Sequence, residues 1–485
     1  MHFNFTLAGL LLFAIDWLIR IFFILYIPRK RKPSSAIAWL LVIIVFPGVG
    51  ILLFLLIGSP KLSSRRRKKQ HFINELIDKA TQSSPNDLGE LTREAQARIT
   101  PLADLNKSLT RLPMRAGNSV EVLPEYNKAI ADIMAHINQA NEFVHIEYFI
   151  VALDEATQPL FDAMEAAVKR GVKVRLMFDS LGSRRYPRVK EMKKVLTQIG
   201  VEWHTMLPIR FSWKNYNRLD LRNHRKVVII DDSVAYIGSQ NLIDRTYHRK
   251  DKIYYDELVV RMSGPIVRHC SAVFAGDWFA ESGERLTKLT DPKLRPLPKK
   301  TGDVFAQIVP SGPSYDTNNN ARLFTQLIHS AQKDVVIVNP YFVPDEALLD
   351  AVTSAAHRGV DVTIINSEAI DQWMVGHAQR SYYEELIAAG IKIYLYKYPI
   401  LLHSKHLTID DDIAVIGSSN MDIRSFELDL ECVLMTYSKS VVDDLKKVQK
   451  YNLNHASQIV LAQWRKRGII DKFLESIARL TAALQ

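Results

Sequence analysis

Residues 143–180 and 335–368 of this 485-residue chain follow one plan, and a duplication on that scale restricts the possible folds more than any other feature. Each segment opens on an apolar, strand-like run (FVHIEYFIV and VVIVNPYFV). It then passes through a helical stretch with apolar residues at three-to-four spacing, reaches Arg-Gly, and ends in a second apolar run. Tyr341-Phe342 answers Tyr148-Phe149, and Arg358-Gly359 answers Arg170-Gly171. Strand–helix–strand units cover a sheet with helices, so the expected fold is α/β: two domains related by an approximate twofold, each with a largely parallel sheet. The period is too long for a solenoid.

The two halves also share their most reactive residues. In NHRKVVIIDDSVAYIGSQN, residues 223–241, His224, Lys226 and Asp231 stand at the same H-x-K-x4-D spacing as His403, Lys405 and Asp410 in HSKHLTIDDDIAVIGSSN, residues 403–420. Each histidine is followed fourteen residues later by a glycine that opens Gly238-Ser239-Gln240-Asn241 or Gly417-Ser418-Ser419-Asn420. One such motif is a weak signal, but two copies in step with a duplicated chain are a strong one. Residues two apart on a strand share a face, so each His–Lys pair is expected to project toward one site.

A twofold would then gather two imidazoles and two ammonium groups around a volume suited to a phosphodiester. The lysines neutralise its non-bridging oxygens, and Ser239, Asn241, Ser418 and Asn420 are expected to bind substrate by hydrogen bonds. One imidazole attacks phosphorus, while the other protonates the leaving alkoxide and then deprotonates the acceptor. Asp231 and Asp410 are expected to set imidazole orientation and tautomer, with the pairing of aspartate to histidine left open. The scheme requires no metal or other cofactor. His406 lies beside the motif without a carboxylate-and-histidine set around it. Cys270 and Cys432 lack metal-like spacing and are read as buried thiols.

Residues 1–60 read as a membrane anchor with apolar runs at about 7–27 and 36–58, the first holding Asp16 and Arg20 at a spacing that pairs them on one helix face. Basic residues follow the first run instead of preceding it, unlike a removable signal peptide. Two spans are the favoured topology, with KLSSRRRKK at 61–69 holding the following domain on the cytoplasmic side. The alternative is a break at Pro47, Gly48 and Gly50 that turns the second run into a re-entrant hairpin, with PRKRKP at 28–33 on the same face. Both basic clusters are expected to attract anionic lipid, at about 1 kcal/mol per residue near the surface.

Charge placement excludes a nucleic-acid partner. The formal net charge is +11, but residues 1–70 carry eleven basic side chains against Asp16 alone, leaving the rest of the chain nearly neutral. A basic and polar connector is expected over 61–118, then the two domains at 119–300 and 301–485. The second ends in amphipathic helices over 440–485 that either touch the membrane or pack on the body.

The duplicated H-x-K-x4-D with its G-S-x-N resembles the phospholipase D superfamily and, within it, the bacterial cardiolipin synthases. The resemblance extends over the two amino-terminal apolar segments, EYFI at 147–150, VPSGP at 309–313, NPYFVPDE at 339–346 and SFELDLECVLM at 425–435. It implies a phosphatidyltransferase that moves a phosphatidyl group from one phosphatidylglycerol to another, giving cardiolipin and glycerol through a phosphohistidine intermediate. It also implies a multi-pass protein embedded in the bacterial cytoplasmic membrane, with anionic lipids as partners and catalytic domains facing the cytoplasm. By the same analogy His224 is favoured as nucleophile. The alternative is a phospholipase D-type hydrolase, or a transphosphatidylase with another donor or acceptor. YYDELVV at 254–260 stands where the second half has ELDLECVLM, so Glu431 has no evident twin in Asp256 or Glu257.

Overall fold

A computed structural model of the chain describes residues 7–31, 33–58, 62, 64–81, 84–209, 218–247, 252–286 and 295–480. Lys32 and Lys61 of the two basic clusters and residues 481–485 of the carboxy-terminal segment lie outside the described residues. The chain divides into two compact units, residues 1–61 with 218–220 and residues 62–217 with 221–485.

In the first unit the helix Leu7–Tyr26 has 20 residues, roughly 30 Å at 1.5 Å per residue and enough to cross a bilayer core. The Arg20 guanidinium donates to Asp16 at 2.6 Å, as the spacing predicts. The second apolar run is not one helix. It breaks at Phe46, where Pro47 lacks an N–H and its ring cannot follow another helical turn, into Pro33–Val45 and Pro47–Ile57. At 13 and 11 residues, neither piece reaches about 30 Å. They fold back on each other so closely that a Cβ on Gly50 would lie 2.8 Å from the Ile43 Cα. Among the described residues the second run is thus a pair of short helices broken at the residues named for the alternative, and only the first run forms one helix long enough to span.

Among the described residues the second unit holds 20 strands, 16 of them in one sheet and the other four in two separate pairs. The first half supplies β1 (Arg115–Leu123), β2 (Phe143–Tyr148), β3 (Lys173–Asp179), β4 (Glu202–Met206), β5 (Arg222–Asn223), β6 (Val227–Ile230), β7 (Val234–Gly238), β8 (Tyr254–Asp256) and β9 (Val259–Ser263). The second half supplies β10 (Val304–Ser311), β11 (Asp334–Val338), β12 (Phe342–Val343), β13 (Asp361–Ser367), β14 (Lys392–Tyr396), β15 (Ile400–Leu402), β16 (His406–Ile409), β17 (Ile413–Gly417), β18 (Met421–Asp422), β19 (Asp429–Tyr437) and β20 (Ala456–Gln458). From the centre outward, the order β1-β9-β7-β6-β2-β3-β4 mirrors β10-β19-β17-β16-β11-β13-β14, and β1 pairs with β10 across the middle. The duplication seen in sequence is thus a pseudo-twofold in the sheet.

Along this order the parallel neighbours are the outer strands of each half, β2-β3-β4 and β11-β13-β14. The strands after each H-x-K run antiparallel, β6 against β2 and β7 and β16 against β11 and β17, so the sheet is mixed instead of largely parallel. The turns Asp231–Ser233 and Asp410–Asp412 that join these strands are too short for a parallel crossover. VVII is buried along its whole length, at about 1.5–3 kcal/mol for each fully buried side chain, which fixes the strand against the core.

The expected connector is part of the body. The helix Arg93–Thr110 hides Ile99, Leu102 and Ala103 among polar residues and packs them into the core with Val309 and Phe324. Ser64–Thr81 packs on the helix Val267–Ser282, with Arg66 buried against Glu281 and Lys69 donating to the terminal carbonyls of Phe279 and Ala280. These two basic residues therefore act in the fold, and not as free lipid-facing charges. At the carboxy terminus, Lys439–Asn454 buries Val441, Val442 and Leu445. Ile469–Leu480 turns Glu475 inward to Arg467 and leaves Ile469, Ile470, Phe473 and Ile477 exposed.

Candidate active site

His224 and His403 lie just before β6 and β16, at the ends of the two-residue β5 and three-residue β15, and not on the long strands themselves. Both short strands cross to the other half: β5 runs parallel to β19 and β15 parallel to β8. Consequently the His224 N–H donates to the Leu430 carbonyl at 2.8 Å, and the His403 N–H donates to that of Asp256 at 2.7 Å. Each histidine is held by a strand of the opposite domain, and the next residue on that strand is a glutamate.

The two glutamates complete the site. His224 Nδ1 lies 2.8 Å from Glu431 Oε1, and His403 Nδ1 lies 2.8 Å from Glu257 Oε1. Glu431 and Glu257 are fully buried. An ionised carboxylate only accepts, so in that form each glutamate places the proton of its neutral histidine on Nδ1 and leaves Nε2 with its lone pair. Glu257 is the twin that Glu431 lacked in sequence. It is missed because Glu257 follows Asn241 by sixteen residues whereas Glu431 follows Asn420 by eleven, so no fixed spacing aligns them.

The halves differ in electrostatics. Burial pushes Glu431 up, but His224, Lys226 and the Ser418 hydroxyl outweigh it and hold the carboxylate at about 2. Ser425 also donates to Oε1, at 2.8 Å. Glu257 is raised to about 7 by burial, despite Lys405 and the Ser239 hydroxyl. Burial lowers His224 to about 4, so at neutral pH it is an uncharged imidazole beside an ionised carboxylate. Burial also lowers Lys226 to about 7 and Lys405 to about 8, partly countered by the glutamates. Each ammonium donates to the carbonyl of its own histidine, at 2.7 Å, which draws both lysines to the imidazoles. An arriving phosphodiester would stabilise their charged forms.

The aspartates of the motif do not orient the imidazoles. Asp231 and Asp410 both adopt φ 53° in the turns after β6 and β16. The Asp231 carboxylate accepts the N–H groups of Asn141, Glu142 and Phe143 at 2.7–2.8 Å. That of Asp410 accepts those of Gln332, Lys333 and Asp334 and pairs with Arg98. They tie the turn of the reactive hairpin to the start of the neighbouring strand, and the role expected of them belongs to Glu431 and Glu257. Asp231→Ala, which leaves three N–H groups without their acceptor, is expected to cost about 1–3 kcal/mol and lower the unfolding temperature. The folded variant should retain turnover within about tenfold; a larger loss at unchanged stability would return Asp231 to the chemistry.

The G-S-x-N segments also act one layer back. A Cβ on Gly238 would lie 2.3 Å from the Leu258 carbonyl, and one on Gly417 would lie 2.5 Å from that of Cys432, so only glycine permits the approach. Ser239 Oγ then accepts the Leu258 N–H at 2.9 Å, and Ser418 Oγ accepts the Cys432 N–H at 3.0 Å while donating to Glu431. The serines hold the residues that carry the glutamates. Asn241 is likewise engaged, accepting from the Ile150 N–H and donating to Tyr247. The buried Asn420 Oδ1 has no partner. His406 is buried and shifted down to about 3 by burial alone, and Cys270 and Cys432 are buried free thiols.

Residues 133–278 and 324–451 match the family description "Cardiolipin synthase, PLD-like domain", and residues 17–59 match "Phospholipase_D-nuclease N-terminal". A cardiolipin synthase of Alkalihalophilus pseudofirmus is 32% identical over 94% of this chain and 90% of its own. Cardiolipin synthase A of Proteus mirabilis is 29% identical, with 98% of both chains covered. The phosphatidylserine synthase of Haemophilus influenzae shares the fold, with TM-score 0.61 at 15% identity over 79% of this chain and 99% of that one.

Proposed function

The chain belongs to the cardiolipin synthase family of the phospholipase D superfamily, and we propose that phosphatidylglycerol is both its donor and its acceptor. The crossed pairs His224–Glu431 and His403–Glu257 carry the mechanistic reading: neither half alone contains an oriented imidazole, and together they supply two.

His224 is assigned as nucleophile because Glu431, with three side-chain donors, fixes its Nδ1 proton most firmly. Nε2 attacks phosphorus, and the bond to the headgroup glycerol breaks as His403, which enters this step as the imidazolium, gives that oxygen its Nε2 proton. Lys226 and Lys405 neutralise the non-bridging oxygens in this step and the next. The terminal hydroxyl of a second phosphatidylglycerol then loses its proton to His403 as its oxygen attacks, and the phosphorus–nitrogen bond breaks. The sum is two phosphatidylglycerols to one cardiolipin and one glycerol, with both histidines restored.

Exchange of one phosphodiester for another is nearly balanced, so the outcome depends on whether lipid hydroxyl or water reaches the phosphohistidine first. A membrane anchor keeps the site among headgroups. In this reading Leu7–Tyr26 spans the bilayer of a bacterial cytoplasmic membrane and the Pro47 hairpin re-enters it. Both basic clusters and the catalytic halves are then cytoplasmic. Support for re-entry comes from the shortness of the two hairpin helices and their close packing at Gly50.

Full-length protein in liposomes of phosphatidylglycerol alone is expected to release cardiolipin and glycerol in equal amounts. Phosphatidic acid as the sole product would make the protein a hydrolase, and a requirement for added phosphatidylethanolamine would assign a different donor.

A further inference from the structure

The pseudo-twofold fails beside the histidines, and the failure is chemically directed. His224 meets Phe149, ring to ring at 5.2 Å and edge-on. His403 instead stands edge-on to two tyrosines, Tyr255 at 5.4 Å and Tyr341 at 6.2 Å. Their hydroxyls converge on one carboxylate: Tyr341 donates to Asp371 Oδ1 at 2.6 Å and Tyr255 to Oδ2 at 2.9 Å. Tyr247 stacks on Tyr255 at 4.1 Å. The position matching Tyr255, two residues before the glutamate, is Asp429 in the other half, where it pairs with Arg424.

A half-buried carboxylate flanked by aromatic rings is ill suited to a phosphate, which it repels, and well suited to a polyol. Carboxylate oxygens offer about four lone-pair directions, and the two tyrosines occupy one on each oxygen, leaving capacity for adjacent hydroxyls. Each tyrosine oxygen can also accept.

We propose that Asp371, Tyr255 and Tyr341 form the glycerol subsite. It would receive the leaving glycerol when His403 protonates it and present the acceptor's glycerol hydroxyl to His403 in the second step. By microscopic reversibility the two groups pass through the same place. This assignment rests on the phosphatidylglycerol reading. It also supplies a means of preferring lipid glycerol over water: a diol held at two points has one hydroxyl at high effective concentration beside the base.

The test uses full-length enzyme with the p-nitrophenyl ester of a short-chain phosphatidic acid, whose leaving group makes no use of the subsite, and two soluble acceptors, labelled glycerol and ethanol. In Asp371→Asn the KM for glycerol is expected to rise about tenfold or more, with formation of the ethyl ester within about threefold of the unaltered enzyme. Tyr341→Phe, which keeps the ring, should shift glycerol in the same direction by a smaller factor. If glycerol and ethanol transfer fall by the same factor, the cluster merely positions His403 and the proposal is wrong. An unchanged glycerol KM in both variants overturns it equally. Failure of the unaltered enzyme to make cardiolipin would defeat the functional reading separately, because the glycerol-to-ethanol comparison needs only phosphatidyl transfer.

Discussion

His224→Ala and His403→Ala are each expected to lower cardiolipin formation by at least about 10⁴-fold, and the double substitution should be scarcely worse than either, since in the proposed mechanism the two imidazoles serve one reaction path. The singles separate when the leaving group needs no proton. With a phosphatidyl ester of p-nitrophenol, loss of a general acid costs little in the first step whereas loss of the nucleophile still blocks it. His403→Ala should therefore give a burst of nitrophenolate as the phosphohistidine forms and then stall. His224→Ala should give none. The reverse pattern would exchange the two assignments, and glycerol-lipid transfer above about a tenth of normal in either variant would remove the paired-histidine mechanism altogether.

The parts of this site that could be read in sequence are those set by local spacing. H-x-K places imidazole and ammonium together whether the residues lie on a strand, as expected, or in the bend before it, as found. The duplication also reports a twofold, since two copies of one plan pack most simply as mirror positions in a sheet. What spacing cannot report is direction and distance in space. Asp231 and Asp410 stand at the right interval from their histidines, yet the reversal of the chain at φ 53° turns their carboxylates to the backbone of the neighbouring strand. Glu257 lies in YYDEL, which matches ELDLE too poorly in sequence to mark it as a twin, and reaches a histidine 146 residues away because β8 joins β15 across the twofold. The buried residues of Arg93–Thr110 were hidden for another reason: a helix that covers a core on one side only can remain polar on average. Pro47 was legible as a breaker, but apolar composition alone could not distinguish two short helices from one span.

The crossed glutamates lead to the second large expected effect. Glu431→Gln should reduce transfer by about 10³–10⁴-fold, comparable to neutralising the carboxylate behind a catalytic histidine in other enzymes. Charge and hydrogen-bond direction both change. In the native site Oε1 accepts from His224 and Ser425, and Oε2 accepts from Ser418. A glutamine keeps a carbonyl on only one side. If Ser418 retains it, the amide N–H₂ takes the place of Oε1, faces Nδ1 and forces the imidazole proton onto Nε2, the atom assigned to attack. Glu257→Gln acts on the other imidazole and should impair proton transfer to the glycerol oxygen instead. The p-nitrophenyl ester again separates them: its burst should survive in Glu257→Gln and be suppressed in Glu431→Gln. Equal suppression in both would mean that the glutamates only support the fold, and a Glu431→Gln enzyme within about tenfold of normal would show that tautomer control contributes little. Because each glutamate comes from the domain opposite its histidine, the same logic explains why the duplication is retained as one chain: separating the halves removes the orienting carboxylate from both imidazoles at once.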